Sequence, residues 1–393
     1  MLLSWLALDF FSELPRTYYP LYVVELGGTT AIIGLIGAAE QFARAVTQIP
    51  GGYMADRYGR KWLIVVMTII SALSHLIYAF APDWRWLLLG AVIFGVTGIY
   101  RPALDAIVAD SVPEDKRGMG FSLINLIASV STTPTPLLSG YLLVRMGLVP
   151  SVRVSYLLVV LGFLIAAALR FRLKETIENP HPINVKEMVG AYPVSFRESI
   201  HVWKLVPRSA FVLFVVNVIV SFAIGLFQPI LTLWIIEDLG ISAIAFSYIM
   251  ASMFITMIVL AIPAGKMIDK IGKKKPLIGS FILWWITVLL VFTGDFVRLI
   301  IAMAFVGLLQ VMISSATSAL SADLVPKEHR GNTNGSRGFF SMIGGSIGMM
   351  MGGWLYDNIS HSITWYLQRL VIIIPFMLVS LYVKEPTKIG DRQ

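Results

Sequence analysis

The chain has 393 residues, of which 57% are hydrophobic and 14% charged, and a mean hydropathy of +0.78. Soluble domains carry about a quarter charged residues, so this balance excludes an ordinary water-soluble globule. The absence of cysteine excludes a disulfide framework and a thiolate metal site.

Taken in chain order, apolar segments cover roughly 2–24, 31–50, 62–81, 86–109, 119–144 and 152–171, then 209–236, 243–263, 276–294, 298–322, 333–355 and 364–383. Each approaches the roughly 20 residues a helix needs to cross about 30 Å of hydrocarbon. Helices are expected because backbone groups in lipid must be satisfied internally, and no alternating strand signal is present. The first segment has no basic leader or small-residue cleavage site, so it reads as a span and not as a signal peptide. Between the sixth and seventh spans lies a polar stretch with Pro180, Pro182, Pro193 and Pro207, a linker with room for a short surface helix. The expected architecture is an all-α integral membrane protein of twelve transmembrane helices in two pseudo-symmetric six-helix bundles. The bundles are 1–171 and 209–384, joined by a linker loop at 172–208 and followed by a tail at 385–393.

The two halves repeat each other. Glu25-Leu26-Gly27 recurs as Asp238-Leu239-Gly240, an offset of 213 residues. Gly52, Asp56 and Gly59 recur at the same offset as Gly265, Asp269 and Gly272. So do Asp110, Pro113, Arg117 and Gly118, as Asp323, Pro326, Arg330 and Gly331. A constant offset across five helices points to duplication, and duplicated bundles are typical of secondary transporters.

Basic residues fix an expected orientation. With both termini inside, the inner loops hold 22 Lys and Arg against 5 outside. Both termini are therefore expected in the cytoplasm of a cell membrane. The net charge of +8 is then a matter of topology, and no nucleic-acid partner is expected.

Two loops carry a motif. Gly52-Tyr-Met-Ala-Asp56-Arg57-Tyr-Gly59-Arg60-Lys61 follows span two, and Gly265-Lys-Met-Ile-Asp269-Lys270-Ile-Gly272-Lys273-Lys274 follows span eight. Glycine lets a helix end turn sharply, and the acid and cations suit helix termini. Here the chain resembles the major facilitator superfamily, nearest in motif to its drug:proton antiporter-like branch. The resemblance implies that these loops latch the halves together and release as the carrier rocks, with Asp110 a partner for Arg60. It also implies that spans one, two, four and five border the central path. The chain departs from the family in two places. Ala91 stands four residues before Gly95, where many proton-linked members carry Arg. The span-five antiporter signature survives only as Thr135-Pro136-Leu-Leu-Ser139-Gly140. In span eleven, Gly344, Gly348, Gly352 and Gly353 keep spacing that suits close helix packing.

Embedded charges are the sharpest functional signal, because each costs roughly 2.5–3.5 kcal/mol at mid-bilayer on insertion scales. They are Asp9, Glu13 and Arg16 in span one, Glu40 and Arg44 in span two, and Arg101 and Asp105 in span four. Glu13–Arg16, Glu40–Arg44 and Arg101–Asp105 stand at helical contact spacing. The four carboxylates and three guanidiniums leave one surplus acid, which in a low dielectric favours taking up a proton. Asp9 or Glu13 is the expected proton-coupling acid; the plainer alternative is a structural ion-pair cluster. His75 is expected to be a packed core residue. The second half is expected to lack such charges and to offer Asn217, Gln228, Trp234 and Gln310 on a Met-rich apolar wall suited to an adaptable substrate.

The expected function is secondary active transport by alternating access, proton-coupled export of small, partly hydrophobic compounds. Two alternatives stand beside it. One is proton-coupled uptake of a small organic anion, held by Arg16, Arg44 or Arg101. The other is a membrane sensor with a transporter fold. No enzyme activity, cofactor or metal is expected, and no nucleotide loop is present. The expected partners are a small-molecule substrate, protons and membrane lipid, with the chain acting as a monomer.

Overall fold

A computed structural model describes residues 2–57, 59–104, 107, 130–175 and 185–385. Among the described residues, eight helices are long and apolar enough to cross a membrane, with mean hydropathy from 1.6 to 2.7. The remaining four crossings are less uniform. Span one is broken into α1 (Leu2–Glu13), a 3-10 turn (Pro15–Thr17) and α2 (Tyr19–Glu25). Span two is α3 (Thr30–Arg57), and spans three and four are α4 (Lys61–Ala79) and α5 (Trp84–Thr97), the latter continuing through a 3-10 turn to residue 104. Span five is described from its later part, α6 (Thr135–Met146), and span six is α7 (Leu148–Phe171). The linker does carry a helix, α8 (Val185–His201), the most amphipathic of the described helices and ended by the 3-10 turn Val202–Lys204.

The second half begins at α9 (Arg208–Phe227), which gives way to the single turn α10 (Leu231–Leu233) and a π-turn at Trp234–Asp238. There follow α11 (Ala243–Ile271), α12 (Lys274–Phe292), α13 (Phe296–Leu324), α14 (Arg330–Asn358) and α15 (Ile363–Tyr382). Polar N-caps start several of these. The Asp83 carboxylate accepts from the Arg85 N–H at 2.8 Å and Asp295 from that of Arg298 at 2.9 Å. Packing repeats between halves: α3 lies on α5 as α11 lies on α13, and α4 lies on α7 as α12 lies on α15. Backbone detail repeats too. Gly59 and Gly272, 213 positions apart, turn the chain with φ of 93° and 89°, values that L side chains rarely adopt.

The halves meet along α3 and α14 and again where α6 crosses α11. At the first seam Gly34 leaves no room for a Cβ against the Met349 carbonyl, nor Gly353 against that of Thr30. The span-eleven glycines are thus packing residues. Gly344, Gly348 and Gly352 face the α9 backbone within the second half, while Gly353 faces the first half. At the end opposite the termini the halves are joined by hydrogen bonds. The Tyr18 hydroxyl donates to the Ala243 carbonyl at 2.7 Å and lies 2.5 Å from the Ser247 hydroxyl. The Asp357 carboxylate accepts the Ala31 N–H at 2.7 Å, capping α3 from across the seam.

Candidate functional site

Span one cannot run as one helix. Pro15 and Pro20 each lack an N–H, and Pro20 opens α2 at a first-turn position where none is needed. The carbonyl freed at Leu14 is satisfied from another helix, since the buried Ser139 hydroxyl of α6 donates to it at 2.6 Å. The break carries charge: the Arg16 guanidinium donates to the Glu13 carboxylate at 2.8 Å, and its side chain is 64% exposed. On α3 the Arg44 guanidinium donates to Glu40 at 2.6 Å and lies 5.4 Å from the centre of the Phe94 ring. Partly exposed pairs of this spacing are worth about 0.3–0.5 kcal/mol, far less than the roughly 2.5–3.5 kcal/mol each ion costs at mid-bilayer. Stability alone does not explain them.

Two of the three expected pairs are therefore formed. The third is not observable, because Asp105, Asp110 and the Asp56 side chain lie outside the described residues. Asp9 is half-buried in α1, and the charged groups acting on it are Arg101, Glu13 and Arg170. Arg101 is exposed. Arg170, near the end of the sixth span, joins these charged groups although it is not among the embedded charges expected from the sequence. It is 1% exposed in the last turn of α7, donates to the Thr68 hydroxyl at 2.7 Å and lies 5.3 Å from the centre of the Tyr100 ring. With Arg170 the guanidiniums number four, equal to the carboxylates counted in the sequence, so the expected surplus acid disappears. Unpartnered buried polar atoms stand nearby: the Tyr19 hydroxyl, the Gln41 and Gln48 amide oxygens and the Arg44 Nε. His75 is a packed residue as expected. Its Nδ1–H donates to the Ser71 carbonyl at 2.7 Å, and its ring stacks on Phe163 with centroids 5.0 Å apart.

The second half breaks at the matching place. Pro229 stands 213 residues after Arg16, between α9 and α10, so the interruption is duplicated while the charge is not. Of the polar candidates there, Gln228 is half-buried and Gln310 exposed. Asn217 donates its amide to the Leu213 carbonyl of its own helix at 2.6 Å. Trp234 is a correction. It is 7% exposed, stacks on Phe292, packs on Trp365 and donates its indole N–H to the Val291 carbonyl at 3.2 Å, so it belongs to the core and not to a path wall. The expectation of a second half without embedded charge also fails, because Arg337 of α14 is half-buried and donates to the Ser321 hydroxyl of α13 at 2.9 Å.

The two motif loops are held by acids that lie outside the motif itself. Glu175, just past α7, accepts the Arg60 and Lys61 N–H groups, each at 3.0 Å. Glu385, just past α15, accepts those of Lys273 and Lys274 in the same way. Each caps the first turn of the helix after a motif glycine. Their signal was a Lys-Glu dipeptide closing each half, Lys174-Glu175 and Lys384-Glu385. The expected Arg60–Asp110 contact has a counterpart in the second half, where the Lys273 ammonium pairs with Asp323. Asp269 and Lys270 are exposed, and Gly52 and Gly265 are half-buried at the helix ends.

Similarity to known proteins agrees with this arrangement. The family model of the Major Facilitator Superfamily matches residues 1–219 and again 213–393. The chain is 30% identical over 322 residues to the multidrug resistance protein MdtG of Salmonella arizonae, covering 78% of this chain and 74% of that one. It is 26% identical over 340 residues to an uncharacterised MFS-type transporter of Methanocaldococcus jannaschii, covering 86% and 85%. Among solved structures, the nucleoside transporter NupG superposes with a TM-score of 0.74 at 15% identity, covering 98% of each chain. An inward-facing bacterial homologue of the lysosomal transporter Spinster gives 0.71 at 15% identity, covering 97% and 95%. The chain belongs to the Major Facilitator Superfamily: it is a twelve-helix, multi-pass membrane transporter of small molecules and not an enzyme.

Proposed function

We propose that the chain exports small, partly hydrophobic compounds in exchange for protons, with both termini in the cytoplasm and with the halves 1–171 and 209–384 rocking about the path between them. The likeness to MdtG, a multidrug resistance protein, carries the choice of cargo and direction. The interrupted first span supports the coupling. A helix broken in the bilayer frees polar groups for ligands, and here the break presents Glu13 and Arg16 with Asp9 one turn away. Proton coupling then rests on how the Glu13–Arg16 pair and Asp9 exchange partners, since no net surplus of acid remains. Substrate and proton compete for the same carboxylates, so binding one releases the other.

The test is efflux of a hydrophobic fluorescent cation from proteoliposomes under an imposed pH gradient. The wild type accelerates efflux, and Glu13→Gln or Asp9→Asn removes the dependence on the gradient. Full gradient-driven efflux in both variants would sink the proposal. Exposure of Arg16 and Arg101 favours a second reading, in which the guanidiniums hold a small organic anion. Under that reading a carboxylate compound, and not the cation, is transported, and Arg16→Gln abolishes it.

A further inference from the structure

A cavity of about 330 Å³ lies away from the charged site, between the end of the linker and the second half. Its walls are Phe211, Phe214 and Val218 of α9 and Phe340 of α14, closed at one end by Ile200 and Trp203 of the linker. Almost nothing polar lines it. Its position on α14 shows which way it opens. Phe340 continues a stripe with Ile347, Met351 and Trp354, at helical spacings of seven, four and three, and those three are exposed large apolar side chains. The opposite faces of α14 are already occupied by α9 and, across the seam, by α3. A crevice on this apolar, exposed side of α14 suits contact with hydrocarbon, at the end of the molecule that carries the termini.

The rim is basic and amphipathic. Lys204 and Arg208 follow Trp203 in the chain and are both exposed, with the Arg208 guanidinium 5.3 Å from the centre of the Tyr382 ring. Earlier in the linker, Arg197 and Glu198 are exposed on α8 and offset each other. The Trp203 indole donates to the Ser336 hydroxyl at 2.8 Å, the posture of a tryptophan at the border between headgroups and acyl chains. We propose that this crevice is a binding site for one anionic phospholipid. An acyl chain fills the aromatic cavity, and the headgroup phosphate sits on Lys204 and Arg208. Basic pockets beside apolar crevices at a bilayer surface select anionic headgroups. The lipid ties the linker to spans seven and eleven, whatever the cargo of the central path.

The experiment places the full chain in nanodiscs containing a small fraction of brominated lipid, either phosphatidylglycerol or phosphatidylcholine. Emission of Trp203 is isolated as the difference between wild type and Trp203→Phe. Brominated phosphatidylglycerol is expected to quench that emission at far lower mole fraction than brominated phosphatidylcholine. Lys204→Ala with Arg208→Ala should weaken this preference roughly tenfold, as expected for two cations near a headgroup. Native mass spectrometry of the wild type, which needs no tryptophan variant, should retain one phosphatidylglycerol that the double variant loses. Equal quenching by both lipids overturns the proposal, as does a double variant that keeps the bound lipid. Release of quenching by a hydrophobic transported cation also overturns it, since the crevice would then admit substrate.

Discussion

Glu13 and Arg16 stand on either side of a break that two prolines enforce, so the pair is held where the helix cannot hide it. Ser139 makes the break tolerable by supplying the Leu14 carbonyl with a donor from another span. Ser139→Ala leaves that buried carbonyl short of a partner and should cost about 1 kcal/mol, read as a lower melting temperature in detergent with the fold retained. The acids and bases of span one and span two were legible in the sequence because charge within an apolar run is conspicuous. Arg170 and Arg337 were not. Arg170 lies one residue from the end of its helix, where a count of inner-loop cations absorbs it, and only packing against Thr68 and Tyr100 shows it to be buried. Helix rotation is equally invisible in a single sequence. For that reason Trp234, expected on the path wall, lies in the core.

At the scale of elements, the duplicated loops behave as two copies of one device. A glycine with positive φ ends one helix, and a glutamate from the end of the half caps the next. The glycine was legible at its fixed offset. The glutamate shows in the sequence only as a Lys-Glu pair closing each half, and its capping role does not, because its partners are backbone N–H groups more than a hundred residues away. Glu175→Gln and Glu385→Gln keep the shape but lose the charge facing a helix N-terminus, a loss of roughly 0.3–1 kcal/mol each. Both should lower thermal stability slightly and additively, since the caps lie in separate halves. The seam between α3 and α14 is less forgiving. Gly353→Leu drives a side chain into the Thr30 carbonyl and should cost about 1–3 kcal/mol or hold the halves apart. A melting curve separates it from Gly331→Leu, where no heavy atom lies within 4 Å of the position a Cβ would take.

For the whole molecule, the twelve crossings and their pairing by halves followed from apolar run length and a single repeat offset, properties that need no knowledge of side-chain orientation. The conformation did not follow, because a carrier has several and sequence specifies them all. In this one, Tyr18 and Asp357 fasten the halves at the end opposite the termini. Tyr18→Phe removes the hydroxyl that bonds Ala243 and lies against Ser247. Loss of about 1 kcal/mol from the closed state should raise the population opened at that end severalfold. The lack of native cysteine makes the measurement direct: nitroxides on Thr29→Cys and Ser360→Cys should show a longer distance population in the Tyr18→Phe protein. An unchanged distribution would remove these bonds from the gate.

Exchange of compound for proton is tested most directly in proteoliposomes that enclose a pH-sensitive dye and carry no pH gradient at the start. An outward gradient of a hydrophobic cation should acidify the lumen, because each cation that leaves is exchanged for an entering proton, and Glu13→Gln should abolish the pH change. Compound movement with no change in lumenal pH would contradict proton exchange through the first half.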